Sequence, residues 1–226
     1  MKLHIEEEIR RIKENLLMMA SLTDRNLAQA IRALTERDDQ LAAAVEAEDT
    51  QLDSLQVTID EDVVMFIAKQ RPVATDLRLM IVASKIAGDL ERIGDQAVSI
   101  ARAAIQLNRE PPLEMPVDID RLASISVEMV REAIACFVDG APERVPALVQ
   151  RDKLVDAINR QLFGELVDRM EAEPSIIRRA VHLLLVVRRL ERAADHAKNI
   201  AEEVYYLGKA VDIRHSNPRP ADQGKN

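Results

Sequence analysis

The sequence has no tryptophan, a single cysteine and six glycines, and aromatic residues make up 2% of its 226 positions. One cysteine, Cys136, cannot form an internal disulfide, which excludes a disulfide-stabilised secreted domain and fits a reducing compartment. Long apolar runs are also lacking. No run exceeds six residues, and the run at 183–187 has five, far fewer than the roughly 20 that a membrane-spanning helix needs. We therefore expect a cytoplasmic protein without direct membrane insertion.

Positive charge is in short supply as well, because 31 basic residues face 39 acidic ones and the formal net charge is −8. Binding to a phosphate backbone requires clustered lysine and arginine, so nucleic acid is not an expected partner. The few aromatics are too scattered to stack nucleic-acid bases. The imbalance is uneven, since residues 1–117 carry −7 and residues 118–226 carry −1. The aromatics are Phe66, Phe137, Phe163, Tyr205 and Tyr206.

Apolar residues recur at steps of three and four along most of the chain, which predicts long amphipathic helices. Three prolines between Glu110 and Pro116 interrupt this pattern near the midpoint, where no helix can continue. The pattern predicts an all-α fold with a tandem pair of three-helix bundles. We place the first repeat at residues 1–110, a proline-rich linker at 111–117, the second repeat at 118–212 and a polar, frayed tail at 213–226.

Shorter breaks divide each repeat into three helices. In the first repeat a break near residues 36–39 and a stop before Pro72 separate them, and Thr75 or Asp76 is the expected cap of the third helix. In the second repeat Gly140, Pro142 and Pro174 mark the boundaries.

An acidic motif occurs once in the third helix of each repeat. Leu90-Glu91-Arg92 followed by Asp95 returns one hundred positions later as Leu190-Glu191-Arg192 followed by Asp195. A second correspondence, with an offset of 103, pairs Asp49 and Asp53 on the second helix with Asp152 and Asp156 on the fifth. Each repeat thus carries two acidic pairs at spacing i,i+4, which places both carboxylates of a pair on one helix face.

The spacing by itself is ordinary. Eight acidic pairs at i,i+4 occur in the chain, and chance predicts roughly half a dozen at this acidic content. What exceeds chance is placement, because four of the eight lie at repeat-equivalent positions. The spacing leaves two interpretations open: a metal site, or a face that is solvated or paired with arginine.

Ligation by carboxylates alone suits hard or borderline cations, so Mg, Mn, Fe and Zn all remain candidates. Ferritin-like di-iron sites require Glu-x-x-His on inward faces, and no histidine of this sequence has a glutamate three residues before it. His182 fits a packed or hydrogen-bonded histidine, whereas His196, next to Asp195, is a better outer-shell candidate. The group Arg188, Arg189 and Arg192 is typical of a solvated or salt-bridged face.

Three segments together resemble the signatures of the PhoU family of phosphate-signalling regulators. They are Arg71-Pro72-Val73-Ala74-Thr75-Asp76-Leu77-Arg78, Asp89-Leu90-Glu91-Arg92-Ile93-Gly94-Asp95, and Leu190-Glu191-Arg192-Ala193-Ala194-Asp195-His196-Ala197 continuing to Asn199-Ile200-Ala201. The resemblance extends over nearly the whole chain in length, repeat and linker. Gln96 and Ser99 depart from the pattern, because the first repeat of the family usually has His and Asn there, as His196 and Asn199 are in the second.

The resemblance implies a non-enzymatic, often dimeric tandem of three-helix bundles that negatively regulates the phosphate-starvation response. Such proteins are thought to couple the Pst phosphate ABC transporter and its ATPase to a PhoR-type sensor histidine kinase at the membrane. The family's acidic motifs can bind multinuclear metal clusters. In this sequence they correspond to Asp49, Asp53, Glu91, Asp95, Asp152, Asp156, Glu191 and Asp195, with the second repeat the stronger candidate. A structural or metal-storing helical protein without a phosphate role is the alternative.

Overall fold

Six long helices make up the protein, as a computed structural model that describes residues 2–114 and 116–214 shows. They are α1 (Lys2–Thr35), α2 (Asp39–Gln70), α3 (Ala74–Asn108), α4 (Val117–Asp139), α5 (Val145–Ala172) and α6 (Ile177–Lys209). Short 3-10 turns at Pro142–Arg144 and Pro174–Ile176 precede α5 and α6. The all-α prediction of two tandem three-helix bundles is confirmed. Among the described residues, no helix is both long and apolar enough to cross a bilayer.

Local chemistry explains most of the helix ends. The carboxylate of Asp38 accepts hydrogen bonds from the backbone N–H groups of Gln40 and Leu41 and so caps α2. Gly140 ends α4 in the left-handed conformation, with φ 61°. The expected cap of α3 was wrong: α3 starts at Ala74, after Val73, whose side chain makes no capping hydrogen bond. Arg71 ends α2 in the left-handed conformation, and after Pro72 the extended Val73, with φ −102° and ψ 156°, leads into α3.

The two bundles meet mainly through α3 and α6, with a smaller contact between α1 and α4. Since α3 and α6 pack against their own repeat and against each other, both are rich in buried alanine and other small side chains. Cys136 is fully buried and packs as a small apolar residue, as expected. Burial raises the pKa of its thiol.

The segment after α6 is anchored at its start. We expected fraying from Ile213, but Ile213 packs against the hydrophobic core, and Arg214 Nη1 donates to Glu203 Oε1 at 2.7 Å. Residues 215–226 of the predicted tail lie outside the described residues.

Candidate metal centres on two helix pairs

The first carboxylate cluster consists of Asp49 and Asp53 on α2 with Glu91 and Asp95 on α3. Burial, then repulsion from Asp95 and Asp53, raises the pKa of Glu91 above its ordinary value. Burial, then repulsion from Asp53 and Asp95, raises the pKa of Asp49 in the same way. The structure therefore brings the two predicted acidic pairs together across neighbouring helices.

Gly94 allows the close approach of α2 and α3 at this cluster. A Cβ atom at position 94 would lie 2.5 Å from Leu52 Cδ1 and 4.0 Å from Asp49 Oδ1. Contacts below 3.0 Å require a neighbour to shift, so an alanine does not fit here without movement. The repeat-equivalent residues are Ala194 and the smaller Val155, both buried, so the second repeat replaces the Gly/Leu combination with Ala/Val.

Among the described residues, no basic side chain is paired directly with the first cluster. Within residues 2–114 and 116–214, none of its four carboxylates makes a hydrogen bond or an ion pair with a lysine or arginine. The nearby Arg102 instead binds Glu46, with Arg102 Nη2 2.6 Å from Glu46 Oε1. The charges of Arg102 and Arg92 act on Asp49 and Glu91 only through space.

The second cluster consists of Asp152 and Asp156 on α5 with Glu191 and Asp195 on α6. Burial, then repulsion from Asp195, raises the pKa of Glu191. Burial, then repulsion from Asp152, raises the pKa of Asp195. Here a lysine is built in, because Lys198 Nζ donates to Asp152 Oδ2 at 2.5 Å while Asp152 is only 8% exposed. The clusters are thus equivalent in their acids but differ in their counter-charge.

Lys198 was missed from sequence. It lies one turn after Asp195 on the same helix, which is the signal that could have found it, but its repeat-equivalent is the buried apolar Val98. A lysine on one carboxylate competes with a cation for that ligand. The geometry therefore favours the first cluster as a cation site, the opposite of the order expected from the sequence pattern.

The donor chemistry of both clusters suits a hard cation, because each offers up to four carboxylates on two rigid helices. In their present arrangement, the carboxylates of each cluster do not surround a metal position. In the part of the chain that the structure describes, no three acidic, histidine or cysteine side chains lie close enough together to hold a metal ion. The backbone places the ligands on adjacent faces, and the side chains would have to turn towards one another to coordinate.

His196 faces the other repeat and not the second cluster. Its Nδ1 lies 2.9 Å from Oδ1 of Asp89 on α3. The repeat offset of one hundred relates this bridge to a second one, in which Arg189 Nη1 donates to Gln96 Oε1 at 3.2 Å. Position 96 thus meets position 189, and position 196 meets position 89. An internal two-fold symmetry relates the two contacts in this way.

The departures at Gln96 and Ser99 therefore concern the repeat interface. Gln96 stands where the family usually has histidine, and its neighbour across the interface is Arg189. The amide oxygen of Gln96 accepts a hydrogen bond from Arg189, whereas a protonated histidine has only donors and could not accept one. Asn199 and Ser99 line clefts of about 620 Å³ and 540 Å³ between α3 and α6. In the part of the chain that the structure describes, neither Gln96 nor Ser99 makes a hydrogen bond to the first carboxylate cluster. The weaker first metal site and the outer-shell role of His196 stay predictions.

In the described residues, six helices form two equivalent bundles, each with a carboxylate cluster on its second and third helices, which defines an all-α protein of two tandem three-helix repeats. The PhoU domain matches residues 16–104 and 119–204, once in each repeat. The chain belongs to the PhoU family.

Relatives and solved structures agree over almost the full length. The chain is 38% identical to the phosphate-specific transport system accessory protein PhoU homolog of Pseudomonas aeruginosa, over 92% of this chain and 86% of that protein. The homologue from Aquifex aeolicus is 36% identical, over 93% and 96%. The crystal structure of PhoU from Pseudomonas aeruginosa superposes with a TM-score of 0.89 at 37% identity, covering 91% of this chain and 99% of that one. PhoU from Streptococcus pneumoniae, at 24% identity and a TM-score of 0.86, shares the fold over 92% and 99%.

Proposed function

We propose that this protein is a cytoplasmic negative regulator of phosphate uptake and of the phosphate-starvation response. The main support is the family membership, which spans both repeats and rests on relatives named as accessory proteins of phosphate-specific transport. Those relatives are named for an accessory role, which supports a regulatory and non-enzymatic activity. The chain acts as an adaptor between the ATPase of a Pst-type phosphate ABC transporter and a PhoR-type sensor histidine kinase, and it works as a homodimer.

We infer that the carboxylate clusters bind divalent or trivalent metal ions, with Fe, Zn, Mn and Mg as candidates. The observation that carries this step is that Asp49, Asp53, Glu91 and Asp95 lie near enough to repel one another. Among the described residues, none of the four is paired with a lysine or arginine. The raised pKa values of Asp49 and Glu91 reflect burial first and repulsion between like charges second, and a bound cation would neutralise that repulsion. In the second repeat, the metal ligands would be Asp156, Glu191 and Asp195. Asp152 would join them once it is released from Lys198.

Cation binding would change the charge of one outer face of each bundle. Without metal the first cluster presents up to four negative charges on α2 and α3, whereas occupancy cancels two or three of them. Because charge complementarity governs the rate and specificity of protein association, occupancy would set which partner this face accepts. The helices themselves need not move for this mechanism.

The test is complementation of a strain that lacks the gene, with a phosphate-starvation reporter read in phosphate-rich medium. We expect high reporter activity without the protein and repression when the full chain is restored. Repression should be impaired by Glu91→Gln with Asp95→Asn. It should be retained by the equally spaced pair Glu128→Gln with Glu132→Gln, whose partner is Arg151 and which lies outside both clusters. A reporter that does not respond to loss of the gene would contradict the phosphate role and favour a structural or metal-storing helical protein.

A further inference from the structure

A basic and apolar surface lies on the first four turns of α6 and ends beside Glu191 and Asp195 of the second carboxylate cluster. At about 100° per residue, one arc of roughly 140° collects eight side chains of residues 177–192. Three are aliphatic and five are basic, and the arc contains no acid. The residues are Ile177, Val181, Leu185, Arg178, Arg188, Arg189, Arg192 and His182. We call this set the α6 surface.

The aliphatic residues of the α6 surface are half-exposed and lie in one line. Ile177, Val181 and Leu185 are 46%, 43% and 47% exposed, and their spacing of four residues aligns them along the helix. The other face of the same helix holds the core residues, so these three are not needed to pack the bundle. A line of half-exposed aliphatic side chains at this spacing fits the apolar face of another helix.

The basic residues flanking this line are largely free of internal partners. Within residues 2–114 and 116–214, Arg188 and Arg192 are exposed and make no hydrogen bond or ion pair with an acid. Arg178 has only a distant contact of 3.8 Å with Glu110, at the end of the first repeat, and its side chain is 81% exposed. Arg188 and Arg192 thus fit the solvated interpretation of this group, while Arg189 donates to Gln96. The charge of Arg188 and Arg192 is available to a partner in a chain of net charge −8.

The surface is concave on the side that faces α3. A groove of about 540 Å³ runs between the helices, with Leu185, His182 and Arg189 on one wall and Arg102 and Arg109 on the other. Among the described residues that line it, the only acid is Glu46, which is paired with Arg102. The concavity suits a convex ridge of side chains, such as a helix presents, better than it suits the plane of a lipid bilayer.

We propose that the α6 surface docks an acidic amphipathic helix of a partner protein. Aliphatic side chains of that helix lie along Ile177, Val181 and Leu185, and its carboxylates meet Arg188, Arg192 and Arg109. This interaction goes beyond the proposed regulatory function and does not require metal. The equivalent face of α3 lacks the same chemistry, since Lys85, Gly88 and Asp89 stand in place of Leu185, Arg188 and Arg189.

The experiment uses the full chain in its own cells, with p-benzoylphenylalanine placed at position 181 or 188 and photo-crosslinked peptides identified by mass spectrometry. Positions 64 and 160 are matched controls, because Val64 is exposed and aliphatic, and Arg160 is an exposed arginine on α5. We expect crosslinks at 181 and 188 to one segment with net negative charge and apolar residues at three- and four-residue steps.

Charge reversal completes the test. Arg188→Glu with Arg192→Glu should lower the crosslink yield at position 181 by about tenfold or more, whereas Arg160→Glu should change it less than twofold. Acid-to-lysine changes in the captured segment should restore the yield in the reversed variant. Crosslinks to lipid, to a second copy of this chain or to a segment without net negative charge would overturn the proposal, as would yields at 181 and 188 no higher than at the control positions.

Discussion

Gly94→Ala tests whether the close approach of α2 and α3, which assembles the first carboxylate cluster, depends on the missing side chain. The new Cβ would lie 2.5 Å from Leu52 Cδ1, and Leu52 is fully buried. Overpacking of this kind costs about 1–3 kcal/mol. The gain in helix propensity from Gly to Ala offsets up to about 1 kcal/mol of that cost.

A second glycine provides the matched control. Gly164 is exposed in α5, and a Cβ there would meet nothing within 4 Å. Gly164→Ala should therefore raise the free energy of unfolding by about 0.5–1 kcal/mol through propensity alone. The difference between the two alanine variants should be about 1–3 kcal/mol, as read from urea unfolding followed by far-UV circular dichroism.

Leu52→Val should rescue Gly94→Ala, because the pair then reproduces Val155 and Ala194 of the second repeat. Leu52→Val alone should cost about 0.5–1.5 kcal/mol. The double variant should lose less than the sum of the two single losses, by about 1 kcal/mol or more. Equal stability of Gly94→Ala and Gly164→Ala, or strict additivity with Leu52→Val, would refute the reasoning.

Two further predictions concern charge. Because the pKa of Glu91 is raised on folding, its contribution to the free energy of unfolding is lost as pH rises through that pKa. Glu91→Gln should therefore increase the melting temperature of metal-free protein at about pH 7 and have little effect near pH 4; a stabilisation independent of pH would contradict the repulsion. Lys198→Met should lower the free energy of unfolding by about 1–3 kcal/mol, because it leaves the buried Asp152 without its donor. Adding Asp152→Asn should recover most of that loss, and an unchanged Lys198→Met variant would show that the ion pair is dispensable.

Much of the fold could be predicted from the sequence because its strongest signals are local. Apolar periodicity, the proline-rich linker and the breaker residues indicated six helices in two repeats, and the structure has them. The start of α3 was misjudged because Thr75 and Asp76 are good capping residues in general, yet the left-handed Arg71 and Pro72 already set where α3 begins. Helix-capping preferences read from the sequence alone do not include such a backbone constraint.

The candidate site was predictable in its acids but not in their partners. The repeat offsets identified the eight carboxylates, and helix geometry placed each pair on one face. The side chains that pair with these acids depend on helix rotation and on packing between the repeats. The Lys198–Asp152 contact and the Asp89–His196 contact could therefore be seen only in the structure. Gln96 illustrates the point: as a sequence departure it suggested a weakened metal site, whereas its actual neighbour is Arg189.

The measurement that bears most directly on the carboxylate clusters is the metal content of the purified, folded full chain after equilibration with Mn, Fe, Zn or Mg and gel filtration. Glu91→Gln with Asp95→Asn, and separately Glu191→Gln with Asp195→Asn, should each remove the metal of one repeat. The equally spaced pair Glu128→Gln with Glu132→Gln, which lies outside both clusters, should retain the wild-type content. Identical metal content in all four proteins would contradict the assignment of these carboxylates as metal ligands.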